Sequence, residues 1–301
     1  MGKTNLTGPL TIPMTNDYLF RALLQQNNKV LKGLISSLMH LPFYKIISVE
    51  ITNPIELGKS INAKDFFLDV KVLLNSNTVI NLEMQVINEH NWPERSLSYL
   101  CRSFDGLNKG DSYLGVKAAI QIGLLDFTLF PDYPEFYATY QLLNVKNYVK
   151  YSDKLRLHVL DLTRIDLATG EDRKYQIDYW TSLFKATTWE ELRMLAKKNE
   201  AIAEAVETVY KLSEEEKIRL QCETREDYYR RQRDAEILRE RQEREMQETQ
   251  QQMQEAQQQL QEAQQQLQEA LRQLQESEQR ISELTEENRQ LMAELKNQSK
   301  N

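Results

Sequence analysis

The chain has two cysteines, three histidines and no long apolar run in its 301 residues, and each scarcity removes a class of protein. Cys101 and Cys222 stand far apart, which argues against a disulfide framework and for a reducing compartment. His40, His90 and His158 are scattered without zinc-ligand spacing, so no structural zinc is expected. No stretch approaches the ~18 apolar residues needed to cross a bilayer. The N-terminus, with one lysine, polar residues and two prolines, lacks the apolar segment of a signal peptide. These absences predict a soluble, cytoplasmic protein with no membrane partner.

A basic excess is missing as well. Residues 1–210 hold 23 Lys and Arg against 24 Asp and Glu, and the remainder holds 15 against 21, so the acidity sits near the C-terminus. A near-neutral body lacks the bulk positive field of a protein that grips nucleic acid by electrostatics alone. Any DNA contact must then come from a local basic face.

Glycine and proline are absent from Ser213 to the end. Ser213-Glu214-Glu215-Glu216 has capping-box form, so one long helix is predicted over 213–301. Within it Met246, Met253, Leu260, Leu267, Leu274, Ile281, Asn288 and Leu295 recur every seven residues. At an offset of three, Ala256, Ala263, Ala270, Ser277, Leu284 and Leu291 do the same. These are the a and d positions of a coiled coil beginning near 246. A strict seven-residue repeat implies a left-handed supercoil, and an all-helical segment would be about 130 Å long. Asn288 at an a position favours a parallel pair, so a homodimer is expected. Alanine at d buries little surface, and a solvated single helix or a disordered glutamine-rich tract is the alternative.

What remains is long enough for one globular body. Apolar residues from Leu19 to Leu38 follow helical spacing, with Asn16 as N-cap and Pro42 beyond the stop. Three β-rich runs follow, at 45–52, 66–74 and 78–87, the last two joined by the turn-forming Asn75-Ser76-Asn77 as a hairpin. A second helix is predicted from Pro93 to a stop at Gly110, then a buried strand at 116–125, further strands at 135–143 and 154–162, and helices from about Asp172, Trp189 and Glu200. The reading is a mixed α/β layer arrangement: a core over 1–165, a helical extension over 166–212, and the long helix.

The hairpin holds the chemistry. In strand period two, Asp69 and Lys71 share one face, as do Glu83 and Gln85, while Val70, Val72, Leu74, Leu82, Met84 and Val86 form the opposite, apolar face. Two carboxylates aimed from one hairpin suit Mg²⁺, or the similar Mn²⁺, a hard cation that keeps several waters and accepts phosphate oxygens. Such an ion activates water and steadies the transition state of phosphodiester hydrolysis. Spacing alone also fits polar residues on the wet face of a hairpin.

The surrounding words separate the two. Asn16-Asp17-Tyr18-Leu19-Phe20-Arg21, Phe67-Leu68-Asp69-Val70, Ile80-Asn81-Leu82-Glu83-Met84-Gln85, Glu94-Arg95-Ser96-Leu97-Ser98-Tyr99 and Gly110-Asp111-Ser112-Tyr113 appear in that order. Together, over about residues 14–165, the chain resembles the recombination-promoting nuclease/transposase family of the PD-(D/E)XK nuclease superfamily. The resemblance implies a mixed central sheet flanked by helices and metal-dependent DNA cleavage. It makes Asp69, Glu83 and the Met84 carbonyl metal ligands, with Gln85 positioning the attacking water. Gln85 replaces the superfamily's commoner lysine, and an uncharged amide offers less electrostatic help, although glutamine is usual in this family. Arg21 stands where the family often has lysine. Asp17 is either a further acid beside the metal or a residue favouring its helix N-terminus. Arg95, Tyr99 and Arg102 share one side of the second helix and, with Arg21, are candidate phosphate contacts, unless that side is merely solvated. Lys71 is a candidate accessory group, and Lys64 a surface residue. The expected function is a Mg²⁺-dependent DNA endonuclease dimerised by its coiled coil. The alternative is a non-catalytic oligomeric DNA- or protein-binding scaffold. A transposase proper ranks lower, since no separate helix-turn-helix is visible.

Overall fold

The computed structural model describes residues 7–55, 57, 69–104, 110 and 112–298. Helix α1 (Asp17–Gln26) starts as expected, with Asn16 Oδ1 accepting from Leu19 N at 3.1 Å. The single expected helix is in fact two. Asn27 ends α1 and caps α2 (Asn28–Leu38), its side chain accepting from Lys29 N and Val30 N. The polar run Gln25 to Lys29 supplies no apolar face to carry one helix through, and asparagine offers a local side-chain bond instead.

Six strands follow: β1 (Val49–Ile51), β2 (Val70–Leu74), β3 (Thr78–Gln85), β4 (Ala118–Leu125), β5 (Tyr137–Tyr140) and β6 (Leu155–Asp161). They form one mixed sheet in the order β1-β2-β3-β4-β6-β5. β3–β4 and β4–β6 are parallel, and the other pairs are antiparallel. Helix α3 (Trp92–Phe104) makes the crossover that a parallel β3–β4 pair requires. The first expected strand shortens because residues 43–45 turn as a 3₁₀ segment, and the strand expected at 135–143 narrows to β5. Lys64, residues 66–68 and the end of the expected second helix lie outside the described residues.

The β2–β3 register is fixed by its turn. Asn75 and Ser76 adopt φ of 48° and 59°, the left-handed pair that matches strand twist in a tight hairpin. Val70 then opposes Leu82, and Val72 opposes Ile80. Their apolar face packs on α1 and α2, and the same core takes in α5 (Ile177–Lys185), α6 (Trp189–Ala196) and α7 (Glu200–Glu214), which follow the five-residue α4 (Gly170–Lys174). On the other face α3 lies across β3, β4 and β6 over a smaller core of Trp92, Leu100, Ala119, Leu157 and Val159. Gly123 permits this approach, since a methyl group there would stand 2.1 Å from Trp92 Cζ2.

The long helix starts later than the capping-box pattern suggests. α7 runs to Glu214, Glu215 leaves the helical region (ψ 109°), and Ser213 donates to the Tyr210 carbonyl instead of capping. Helix α8 spans Glu216–Gln298. The chain divides into two compact units, residues 1–233 and 234–301, so the first turns of α8 belong to the globular unit. Ile218, Cys222, Arg225 and Tyr229 of those turns are buried, and their spacing puts them on one helix face. Among the described residues no helix is long and apolar enough to cross a membrane.

Candidate active site

β3 reaches one polar cleft with three consecutive residues, Glu83, Met84 and Gln85, and Asp69 lines the same cleft from the residue before β2. Asp69 lies beyond the last β2–β3 pair, so its backbone needs another anchor. Arg21 supplies it, donating to the carbonyls of Asp69 and Asn53. Asn53 adds a bond from its amide to the Asp69 carbonyl at 3.1 Å and accepts from Lys71 N at 2.8 Å. Arg21 is fully buried, so it has no surface left for a phosphate, and its expected DNA contact is corrected to a backbone anchor behind the site.

Glu83 is buried at 5 % exposure, with both oxygens engaged. Arg95 Nη2 lies 2.6 Å from Oε1, and Gln121 Nε2 donates to Oε2 at 3.4 Å. Gln121 in turn accepts from Asn81 Nδ2 at 2.9 Å, so a buried polar row crosses β3 and β4. Even so, burial pushes the Glu83 carboxyl up to about 7; Arg95 pulls it back down, while neighbouring Asp69 and Glu89 raise it further. Burial likewise raises Asp69, against the lowering influence of Arg21, Lys71 and Arg95. Two neighbouring acids held toward their neutral forms by burial are groups that a bound cation would draw into ionisation.

The remaining expected residues divide. Arg95 and Tyr99 of α3 line the cleft, with the Arg95 guanidinium 5.8 Å from the Tyr99 ring centroid. Arg102, one turn beyond Tyr99, is exposed and does not line it. Lys71 is half-buried on β2 beside Asp69. Gln85 lines the cleft and donates its amide to the Ile87 carbonyl at 3.0 Å. Asp17 lines the cleft too, but its carboxylate is held by the Arg225 guanidinium in a two-pronged pair, Nε to Oδ1 at 2.9 Å and Nη2 to Oδ2.

Arg225, Tyr228 and Tyr229 are cleft residues that sequence reasoning missed. Arg225 lies 4.8 Å from the Tyr228 ring centroid and 5.2 Å from that of Tyr229. Asn16 joins this wall, donating to the Cys222 carbonyl at 3.1 Å and to Glu226 Oε1 at 2.7 Å. The signal available in the sequence was the 4-3-4 spacing of Ile218, Cys222, Arg225 and Tyr229, a helix face ahead of the heptads.

A divalent ion fits the acid pair by chemistry, since carboxylates are hard oxygen ligands. Among the described residues no group of three His, Cys, Asp or Glu side chains is placed to hold a metal ion, so water and substrate would have to complete the shell. Asp17 lines the same cleft, with its carboxylate paired to Arg225.

A mixed sheet with helices on both faces, one acid on β3 and another just before the antiparallel β2, has the architecture of the PD-(D/E)XK nuclease class. The family model for the PD-(D/E)XK nuclease family transposase matches residues 14–241, and the chain belongs to that family. No curated protein and no solved structure matches it.

Glu83 gives the site a pH signature. Its folded-state value of about 7 exceeds the ordinary 4.5, so the unfolded chain ionises first and stability falls as pH rises from about 5 to 8. The expected loss from this group is on the order of 3 kcal/mol. In Glu83→Gln that decline should vanish from urea-unfolding curves recorded in chelator. An equal pH slope in wild type and variant would refute the assignment.

Proposed function

We propose that the protein is a DNA endonuclease that requires a divalent cation, Mg²⁺ or Mn²⁺, and works as a dimer paired through its C-terminal helix. The observation that carries this reading is the convergence of Asp69 and Glu83, from adjacent antiparallel segments, on one cleft that Met84 and Gln85 also line. Family membership supports the nuclease or transposase class. Asp69, Glu83 and the Met84 carbonyl would hold the ion, which activates water and offsets charge on the phosphate being attacked.

The protein's own groups do the positioning. Arg21 and Asn53 fix the Asp69 backbone, so that its carboxylate is presented without searching. Gln121 and Arg95 orient Glu83. Gln85 can hold water by hydrogen bonding but lends no charge, which leaves Arg95 as the nearby charged donor for phosphate oxygens. Tyr99 and Tyr228 flank the same cleft.

Dimerisation is supported by the seam. Met246, Met253, Leu260, Leu267, Leu274 and Ile281 are all more than half exposed in the single chain, in strict heptad phase. A parallel pair would cover them and supply two active sites for the two strands of a duplex.

In a plasmid-nicking assay with Mg²⁺, wild type is expected to cut and the chelated control to stay intact. Asp69→Ala and Glu83→Ala should each lose at least about a hundredfold in rate while keeping their circular dichroism. Retained cutting by either variant would contradict the reading, and a folded, inactive wild type would favour a scaffold. In sedimentation equilibrium the full chain should behave as a dimer and a chain ending at residue 245 as a monomer. A monomeric full chain would remove the dimer.

A further inference from the structure

A near-neutral body that handles a polyanion needs a local basic face, and the described residues contain one well away from the acid pair. From Phe136 to Ser152 the chain has no acidic residue. Beyond β5 this stretch folds as a hairpin: Tyr151 N donates to the Leu142 carbonyl at 3.0 Å, Asn144 N to Val149 O at 2.9 Å, and Tyr148 N to Asn144 O at 2.8 Å. Side-chain turns stiffen the tip, where Asn144 Oδ1 accepts from Lys146 N at 2.9 Å and Asn147 Oδ1 from Val149 N at 3.0 Å. Lys154 ties down the base, its Nζ donating to the Val116 carbonyl at 2.7 Å.

This well-bonded hairpin presents groups that a merely solubilising loop would not. Tyr148 is 74 % exposed, Tyr151 86 % and Val145 87 %, with the exposed Lys146 and Lys150 set between them. Over 142–156 four cations meet a single acid, Asp153, which pairs with Lys150 at 2.7 Å. Exposed aromatic rings alternating with lysines suit single-stranded nucleic acid, since bases stack on rings and phosphates take the ammonium groups. The excess of four cations over one acid selects a polyanion over a neutral apolar partner. The strand register sets the distance from the acids. Leu155, where the hairpin enters β6, is level with Ala119, whereas Glu83 is level with Gly123. That is four residues, or about 13 Å, along the strands.

We propose that the hairpin at 142–154 is a second nucleic-acid-binding element, which stacks unpaired bases on Tyr148 and Tyr151 and sets backbone phosphates against Lys146 and Lys150. It rests on the nuclease reading only in taking DNA as the polyanion, and its test involves no cleavage. Fluorescence anisotropy of a labelled single strand and of its duplex is measured with the full chain in chelator. Tyr148→Ser/Tyr151→Ser is expected to bind the single strand about tenfold more weakly, with a smaller effect on the duplex. Lys146→Glu/Lys150→Glu should lower the slope of log affinity against log salt by about 0.7 for each lysine. Both double variants should melt like wild type because the altered side chains are exposed. Wild-type affinity in both hairpin variants would overturn the proposal. So would loss of self-association, or of binding to anionic vesicles, with DNA affinity intact. A protein that binds through the hairpin but never cuts would sink the nuclease reading alone; one that cuts while its hairpin variants bind normally would sink this one alone.

Discussion

Placing Glu83 beside Asp69 beneath helix α3 costs free energy at neutral pH, and the rest of the site is arranged around that cost. The carboxyl is raised to about 7 despite an arginine at 2.6 Å, because burial outweighs the attraction. A pair so disposed is poorly satisfied by protein alone and well satisfied by a small, highly charged ion. Arg95 serves as the resident countercharge.

Holding that pair in place draws on distant parts of the chain. The Asn75-Ser76 turn sets the register that pairs Val70 with Leu82, the residues next to Asp69 and Glu83, and Arg21 on α1 secures the segment leading into β2. Gly123 lets Trp92 lie against β4, which brings α3 close enough for Arg95 to reach Glu83. Residues of α8 complete the cleft through the Arg225–Asp17 pair. Breaking such a buried pair on one side typically costs about 3–5 kcal/mol, so the first turns of α8 are integral to the globular unit.

Where the sequence was legible, periodicity was the reason. Alternation in Val70-Lys71-Val72 and Leu82-Glu83-Met84 shows which face turns to the large apolar core, and Asn75-Ser76-Asn77 between them identifies the hairpin. The chain words around Asp17, Asp69 and Glu83 carried the family. Arg21 could not be read this way, since nothing in a linear pattern distinguishes an arginine that binds carbonyls inside from one that meets phosphate outside. Arg225 and Tyr229 were hidden for a related reason: a helix face built from isoleucine, cysteine, arginine and tyrosine has little apolar contrast, and the capping-box pattern at Ser213 with the loss of glycine and proline drew the boundary. Asn27 split one expected helix into two because local side-chain bonding outcompeted a weak apolar face.

The central claim is that Asp69 and Glu83 together hold one divalent ion, and calorimetric titration of metal-free protein with Mn²⁺ at pH 7 tests it most directly. The account predicts a single site per chain, with proton uptake by buffer revealing release from Glu83, and loss of both signals in Glu83→Gln. Equal binding by wild type and variant, or no binding by folded wild type, would contradict it.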